Sequence, residues 1–278
     1  MFYPIRSLFL VLICTTTLQG SSYVGGELHY STDGSTIATI DYFAYANTSE
    51  LENLGFQICF SDGACFDIPQ AESVVASRYD LFQYHYTIAY DFGTYGEHRA
   101  WVIDPNLPGD LCNLNFPNSG SVPFFTELQF DLQEGVANSS PLFFEPPFIT
   151  TELGEVFTYH PIPIDDEGHK LTYTLVTTEQ DVDTPVPNYV FPDQVSPGAD
   201  NTYTFSEATG LFTWNSPQVT CGFWLTFEVE EYSLTGDWLS TSMRSVYIQV
   251  LEQGNLLPQI TTEPSSVSEP NLPANVEL

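Results

Sequence analysis

Basic residues are scarce in this chain. Five lysines and arginines stand against 36 aspartates and glutamates, which gives a formal net charge of −31 over 278 residues. Nucleic-acid binding is excluded as a function, because almost no cations are present to neutralise phosphates. Anionic membranes would repel the chain for the same reason. The acidity favours a solvated surface that resists aggregation, and binding of divalent cations is the alternative.

Motifs that carry catalysis are also missing. The sequence has no CxxC or HExxH pattern, no GxSxG nucleophile elbow and no Walker or Rossmann glycine loop. The five histidines are scattered, and in so acidic a chain any pair of carboxylates is uninformative about glycoside hydrolysis. We therefore expect no enzymatic activity.

Long apolar runs are limited to the N-terminus, where Arg6 precedes the apolar run from Leu8 to Cys14. This pattern predicts a secretory signal peptide over residues 1–22, cleaved near Ser22, and a retained anchor is the alternative. No later segment approaches 18 uninterrupted apolar residues. We expect an exported protein of about 256 residues with no membrane insertion after cleavage.

Short strands are indicated throughout. The 20 prolines and 18 glycines are spread along the chain, which argues against long helices, and aromatic residues make up 15% of it. Leu171, Tyr173 and Leu175 alternate with threonines, the period-two pattern of a half-buried strand. The sequence predicts an all-β protein, with strands in its first half at 25–31, 36–45, 55–60, 64–68, 81–91, 96–104 and 123–132.

Two blocks carry the clearest pattern: IPIDDEGHKLTYTL (162–175) and YTFSEATGLFTWNSPQ (203–218). In the second block, apolar strands flank a turn in which Gly210 can adopt positive φ, which predicts a hairpin. In this order the blocks resemble cadherin-like immunoglobulin-fold modules, where "DxDGDxLxYxL" precedes "TFxxxTGxLTW". Upstream, YVGGELHY (23–30), ICFSDGACFDIP (58–69) and GTYGEHRAWVIDPN (93–106) resemble the PKD-like region of Bacteroidetes gliding or adhesion-type surface proteins.

This resemblance implies two tandem antiparallel β-sandwich (immunoglobulin-like) domains after the signal peptide. A PKD-like domain is expected at 23–137 and a cadherin-like domain at 138–252, with the boundary near the segment GVANSSP. Residues 255–262 partly echo 138–151, so 253–278 is expected to be a linker or the first strand of a further module.

The implied function is a non-catalytic structural or adhesion module, extracellular or on the bacterial cell surface. The alternatives are a carbohydrate-binding module or an accessory region of a larger secreted enzyme. Expected partners are other surface proteins, extracellular glycans and neighbouring repeats of the same chain.

An acidic turn is the candidate metal site. Asp165, Asp166 and Glu167 precede Gly168 and can supply several of the six to eight oxygens that calcium requires, helped by Glu230 and Glu231. The resembled motif is "DPDGD", and His169 stands where it has its last aspartate. We expect either a Ca²⁺ site or a solvated acidic turn, with no cofactor required for function.

Four cysteines remain after signal cleavage. Cys59 and Cys65 flank an Asp-Gly hairpin turn that brings two strands within disulfide reach, so we predict a bond between them. Cys112 and Cys221 lie in different predicted domains, and their pairing state is left open.

The resemblance also implies a structural ion pair. Glu230-Glu231-Tyr232 resembles the family's "EEW", and Arg244 resembles the arginine of its last strand. Adjacent residues of a strand face opposite ways, so only one of Glu230 and Glu231 can meet Arg244 across a hairpin.

Aromatic side chains offer a last candidate, because flat rings can stack on sugar faces. The alternative is that they fill the core, as large aromatics of β-sandwiches usually do. The residues concerned are Trp101, Trp224, Trp238, Tyr84, Tyr86 and Tyr90.

Overall fold

The structure is a computed structural model that describes residues 23–47, 56–68, 71–77, 80–104 and 106–254. The predicted signal peptide, at residues 1–22, lies outside the described residues, and so does the tail from residue 255 onward. Within the described residues, no helix is long and apolar enough to cross a membrane.

Strands dominate the described residues, and the two helical pieces are short. The 3₁₀ turn is Ser119–Ser121 and α1 is Pro192–Val195. The strands are β1 Tyr23–Thr32, β2 Ile37–Ala46, β3 Phe56–Phe60, β4 Cys65–Ile68, β5 Ser73–Ala76, β6 Phe82–Asp91, β7 Gly96–Asp104, β8 Phe124–Leu132, β9 Asn138–Ser139, β10 Phe148–Glu152, β11 Phe157–Tyr159, β12 Lys170–Val176, β13 Glu179–Asp181, β14 Thr184–Pro185, β15 Thr202–Phe205, β16 Phe212–Asn215, β17 Gly222–Tyr232 and β18 Trp238–Leu251.

The strands form layered antiparallel sheets, so the all-β prediction is confirmed. One sheet has the order β5-β6-β2-β1-β9, and a larger one has the order β12-β17-β18-β8-β7-β3-β4, with β10 pairing alongside β18. Smaller sheets are β11-β16-β15 and β13-β14. The β10–β18 pair is parallel, whereas the other paired strands are antiparallel.

The first core lies between the sheet built on β1, β2 and β6 and the strands β3, β7 and β8. Its centre is aromatic: the Phe56 ring meets Tyr42 and Tyr86 edge-on, at centroid distances of 5.2 Å and 5.0 Å. These rings are buried, as the alternating burial along β2 and β6 requires. Each predicted strand of this half overlaps an observed one, and β5 is an additional strand.

The second core lies between the β11-β16-β15 sheet and the face of β17 and β18. Trp214 packs edge-on against Phe223 at 4.7 Å between ring centroids, and both side chains are fully buried. Both faces of β17 are covered here, since Trp224 and Thr226 on its other face are buried too. That face is covered because the first half of the chain packs on it.

The two halves of the chain, up to residue 137 and from residue 138 onward, are joined by one sheet. Ser240, Thr241 and Ser242 of β18 pair with Phe130, Gln129 and Leu128 of β8. In addition, β9 pairs with β1, and Trp224 and Tyr247 belong to the first core. The division at residues 137 and 138 stays a prediction, and if it is correct the two domains share a sheet and part of a core.

Candidate functional site

The acidic turn between β11 and β12 directs one carboxylate inward. The Asp165 side chain is 4% exposed, and its Oδ1 accepts a hydrogen bond of 2.6 Å from the backbone N–H of His169. Gly168 has a φ of +79°, which lets the chain turn back so that this bond closes. Asp165 Oδ2 has no hydrogen-bond partner among the described residues.

Glu231, on β17, faces the same place and is fully buried. Its Oε1 lies 2.6 Å from His169 Nδ1, and its Oε2 accepts hydrogen bonds from Ser240 Oγ at 2.6 Å and Asn138 Nδ2 at 3.2 Å. Burial raises the pKa of the Glu231 carboxyl, and these three donors oppose that rise. The carboxylate is therefore held in one orientation from both sides.

These side chains form a compact polar group, here called the junction cluster: Asp165, His169 and Glu231, with Asn138 and Ser240 beside them. One donor atom from each of Asp165, His169 and Glu231 lies within 4.8 Å of the others, and these three form the one such metal-ligating group found in the described part of the chain. The cluster stands where the halves meet, because Asn138 on β9 also donates to Tyr30 Oη on β1 at 2.7 Å.

The predicted calcium ligands are not gathered as expected. Asp166 and Glu167 are exposed, and the Glu167 carboxylate accepts a hydrogen bond from Ser139 Oγ at 3.0 Å. Glu230 lies on the opposite face of β17 from Glu231, since neighbouring residues of a strand alternate, and it accepts from Thr172 Oγ1. Calcium binding stays a prediction, and of the two candidate glutamates of β17 it is Glu231 that lies beside Asp165.

His169 stands where the resembled motif has its last aspartate, so a carboxylate is missing from the turn at that position. In the structure its ring lies between the two buried carboxylates. The sequence offered a signal for this, because His169 is four residues from Asp165 and Glu231 is a candidate ligand, but only the strand register selects Glu231 over Glu230.

The predicted ion pair between Arg244 and Glu230 or Glu231 is wrong. In the β17–β18 register Arg244 lies opposite Phe227. The two glutamates lie three and four residues further along β17 than Phe227. Its guanidinium forms an ion pair with Glu27 of β1 and donates to the carbonyl of Glu145. Arg244 and Glu27 are both buried, and the guanidinium lies 4.9 Å from the centre of the Phe143 ring.

Both cysteine pairs are bonded. Cys59 and Cys65 lie opposite each other on β3 and β4 with their Cα atoms 4.1 Å apart, so the predicted bond is confirmed. Cys112 and Cys221 are also joined, with Cα atoms 6.1 Å apart. The backbone N–H of Cys112 donates to the carbonyl of Gly222 at 2.9 Å, which brings the segment before β8 against the start of β17.

A second carboxylate group, here called the acidic cleft, was not predicted. Glu127, Glu179, Asp183 and Glu228 line a cavity of about 70 Å³. Arg99 Nε lies 3.3 Å from Glu127 Oε1, and Arg99 Nη1 lies 3.5 Å from Asp183 Oδ1. Burial raises the pKa of Glu127 to about 7, Arg99 opposes the rise, and the other carboxylates of the cleft add to it.

The candidate sugar-stacking aromatics are divided. Trp224, Tyr84 and Tyr86 are buried in the first core and cannot form a platform. Trp101, Trp238 and Tyr90 are half-buried. A different set of rings, Phe191, Tyr203 and Phe205, lines an open groove of about 490 Å³ together with Thr174, Leu175 and Glu207.

Comparisons with known proteins do not assign the chain to a family. No protein-family model matches the sequence, and no curated protein shows significant similarity. Among solved structures, titin Ig tandem domains A164-A165 share 10% identity over 82% of this chain and 100% of theirs, with a TM-score of 0.23. Tandem Ig repeats of Dlar share 8% identity over 77% of this chain and 90% of theirs, with a TM-score of 0.24. The fold class rests on the strand pairing described above.

Proposed function

We propose that the chain is a rigid, non-catalytic structural module of an exported protein, which carries adhesive or neighbouring domains at a fixed distance from each other. The observation that carries this proposal is the joining of the two halves. One sheet runs through both, and the Cys112–Cys221 bond and the Arg244–Glu27 ion pair connect segments far apart in sequence.

Export is part of the proposal. Disulfides form and persist in oxidising surroundings, and this chain has two of them. The resemblance to PKD-like and cadherin-like modules extends the proposal to a bacterial cell surface, with neighbouring repeats of the same protein as partners. The strongly acidic composition suits a solvated surface in such a position.

Single-molecule stretching tests the structural role. If the halves act as one element, the chain should unfold in a single high-force event. The Cys112–Cys221 bond should reduce the contour length released on unfolding by about 390 Å. The reason is that the 109 residues between the two cysteines, at up to about 3.6 Å each, cannot be extended while the bond is intact. Two separate events, with one half opening at low force while the other stays folded, would count against a rigid module.

Carbohydrate binding is the second candidate, favoured by the groove of Phe191, Tyr203 and Phe205. Its rings are partly accessible, and Thr174 and Glu207 add polar groups at the same place. A glycan array should give a signal that Tyr203→Ala removes and Trp238→Ala, at a half-buried ring outside the groove, leaves unchanged. A blank array would favour the structural role alone.

A further inference from the structure

We propose that Asp165, His169 and Glu231 of the junction cluster bind one divalent transition-metal ion, with Zn²⁺ as the ion to test. The three side chains come from the turn before β12 and from β17. One ligand atom from each lies within 4.8 Å of the others. This proposal stands independently of the structural function proposed above.

The negative charge of the cluster is not balanced by its single imidazole, and a bound cation would balance it. Asp165 and Glu231 bring two buried carboxylates together, and the nitrogen that faces both belongs to a single imidazole. Within the described residues, no lysine or arginine forms an ion pair with either carboxylate. Buried charges are normally paired or coordinate a metal, and one dication would balance both carboxylates.

A free ligand atom points into the cluster. Asp165 Oδ2 belongs to a side chain that is 4% exposed, accepts no hydrogen bond from the described residues and faces His169 Nδ1 at 3.9 Å. Buried polar atoms are almost always satisfied, so the unpartnered Asp165 oxygen that faces the ring points to an additional group.

The distances fit a small ion after modest movement. Ligand atoms around a tetrahedral Zn²⁺ lie about 2.0–2.2 Å from the metal and therefore about 3.3 Å from each other. His169 Nδ1 would move away from Glu231 Oε1, now at 2.6 Å, and towards Asp165 Oδ2, now at 3.9 Å. Each of these two changes is below about 1 Å, and the Asp165 and Glu231 ligand atoms, which lie within 4.8 Å of each other, would approach by up to about 1.5 Å. The ion would replace the proton shared by the ring and Glu231, and that proton would pass to solvent.

The surroundings favour zinc over calcium. Calcium takes six to eight oxygen ligands, whereas this cluster offers a nitrogen and two carboxylates. Glu231 Oε2 is committed to Ser240 and Asn138, which leaves Oε1 for the metal and fixes its direction. His169 is 17% exposed, so water can reach the ion as a further ligand.

The test is a titration of the metal-free, oxidised chain by calorimetry at physiological ionic strength, with thermal melts in parallel. One equivalent of Zn²⁺ should bind and raise Tm, and EDTA should reverse the shift. Loss of a ligand should weaken binding by at least about 100-fold in His169→Gln, since even outer-shell changes cost 10- to 100-fold. Asp166→Asn removes an exposed neighbouring carboxylate and should bind as the unmodified chain does.

Folding of the variants is checked by circular dichroism, and Co²⁺ gives a readout that needs no variant. Co²⁺ bound to the unmodified chain should show visible absorption of a low-coordinate nitrogen and oxygen site, and Zn²⁺ should displace it. The proposal is overturned if the unmodified chain takes up no stoichiometric Zn²⁺, or if folded His169→Gln and Asp165→Asn variants bind it undiminished. One equivalent of Ca²⁺ bound in preference to Zn²⁺ would also overturn it, in favour of the calcium site expected from the sequence.

Discussion

Single residues decide how the two halves hold together, and Arg244 is the clearest case. It is one of five basic residues in the chain, and it lies buried between β18 and β1, where it pairs with Glu27. Tyr45 Oη donates to the other oxygen of Glu27 at 3.1 Å, so the carboxylate is held on both sides. Glu27 and Arg244 are 217 residues apart, and no local pattern connects them.

Removing Arg244 should be costly because it leaves a buried carboxylate unpaired. Arg244→Ala is expected to lower the free energy of unfolding by about 3–5 kcal/mol. The double variant Arg244→Met with Glu27→Gln should recover a large part of this loss, since it removes both charges. Urea unfolding at neutral pH measures both. Lys170→Ala is the control, because it removes an exposed cation on β12 and should cost about 0.5 kcal/mol or less. A similar loss there would refute a special role for burial.

Glu127 should make stability depend on pH. In the folded state its pKa is raised to about 7. At pH values between the unfolded-state pKa and 7, the folded state therefore binds more protons than the unfolded state. Stability from this group is therefore present below about pH 4.5 and is lost as pH rises through 7, by up to about 3 kcal/mol. Tm should fall between pH 5 and 8, and Glu127→Gln should flatten that fall. An unchanged pH profile in the variant would show that Glu127 titrates normally.

At the scale of elements, the β15–β16 hairpin follows from sequence alone. Tyr203 and Phe205 pair with Trp214 and Phe212, and Gly210 has the expected positive φ of +73°. The turn depends only on residues next to each other in sequence, so residue types at fixed offsets are sufficient to predict it. The structure adds a second reason for the glycine, because a Cβ atom there would lie 2.7 Å from Cδ1 of Tyr173.

Gly210→Ala should therefore destabilise the chain by about 2–4 kcal/mol, through backbone strain and a clash with the Tyr173 ring. Gly236→Ala is the matched control, since Gly236 also has positive φ but has open space around it, and about 1–2 kcal/mol is expected. Denaturant midpoints at constant m-value provide the comparison. Equal losses at the two sites would show that the Tyr173 contact adds nothing.

For the whole molecule, the two disulfides differ in what they close. Cys112–Cys221 spans 109 residues and connects the halves, whereas Cys59–Cys65 spans six residues within one hairpin. In the chain-entropy model the long loop contributes about 5 kcal/mol and the short loop about 2 kcal/mol. Replacing both cysteines of each pair with serine should give losses in that order by equilibrium unfolding. A larger loss from the Cys59 and Cys65 pair would contradict it.

Much of this chain could be predicted because it depends on neighbours in sequence. Alternating apolar residues predicted the strands of the first half, and the Asp-Gly turn placed Cys59 opposite Cys65. The family resemblance failed for the ion pair, because it implies a glutamate of β17 as the partner of Arg244, whereas the register places Phe227 opposite it. The acidic cleft, whose carboxylates come from β8, β13, the turn after β13, and β17, was also missed.

The sequence by itself therefore determined the all-β class, the local turns and one disulfide, because period-two burial and turn chemistry act over a few residues. Tertiary structure alone decided that β8 and β18 join the halves in one sheet, that Cys112 meets Cys221, and that Arg244 meets Glu27. It also decided that Asp165 and His169 face Glu231. These contacts depend on strand order and register between segments tens to hundreds of residues apart, and a one-residue change of register would turn each side chain to the other face.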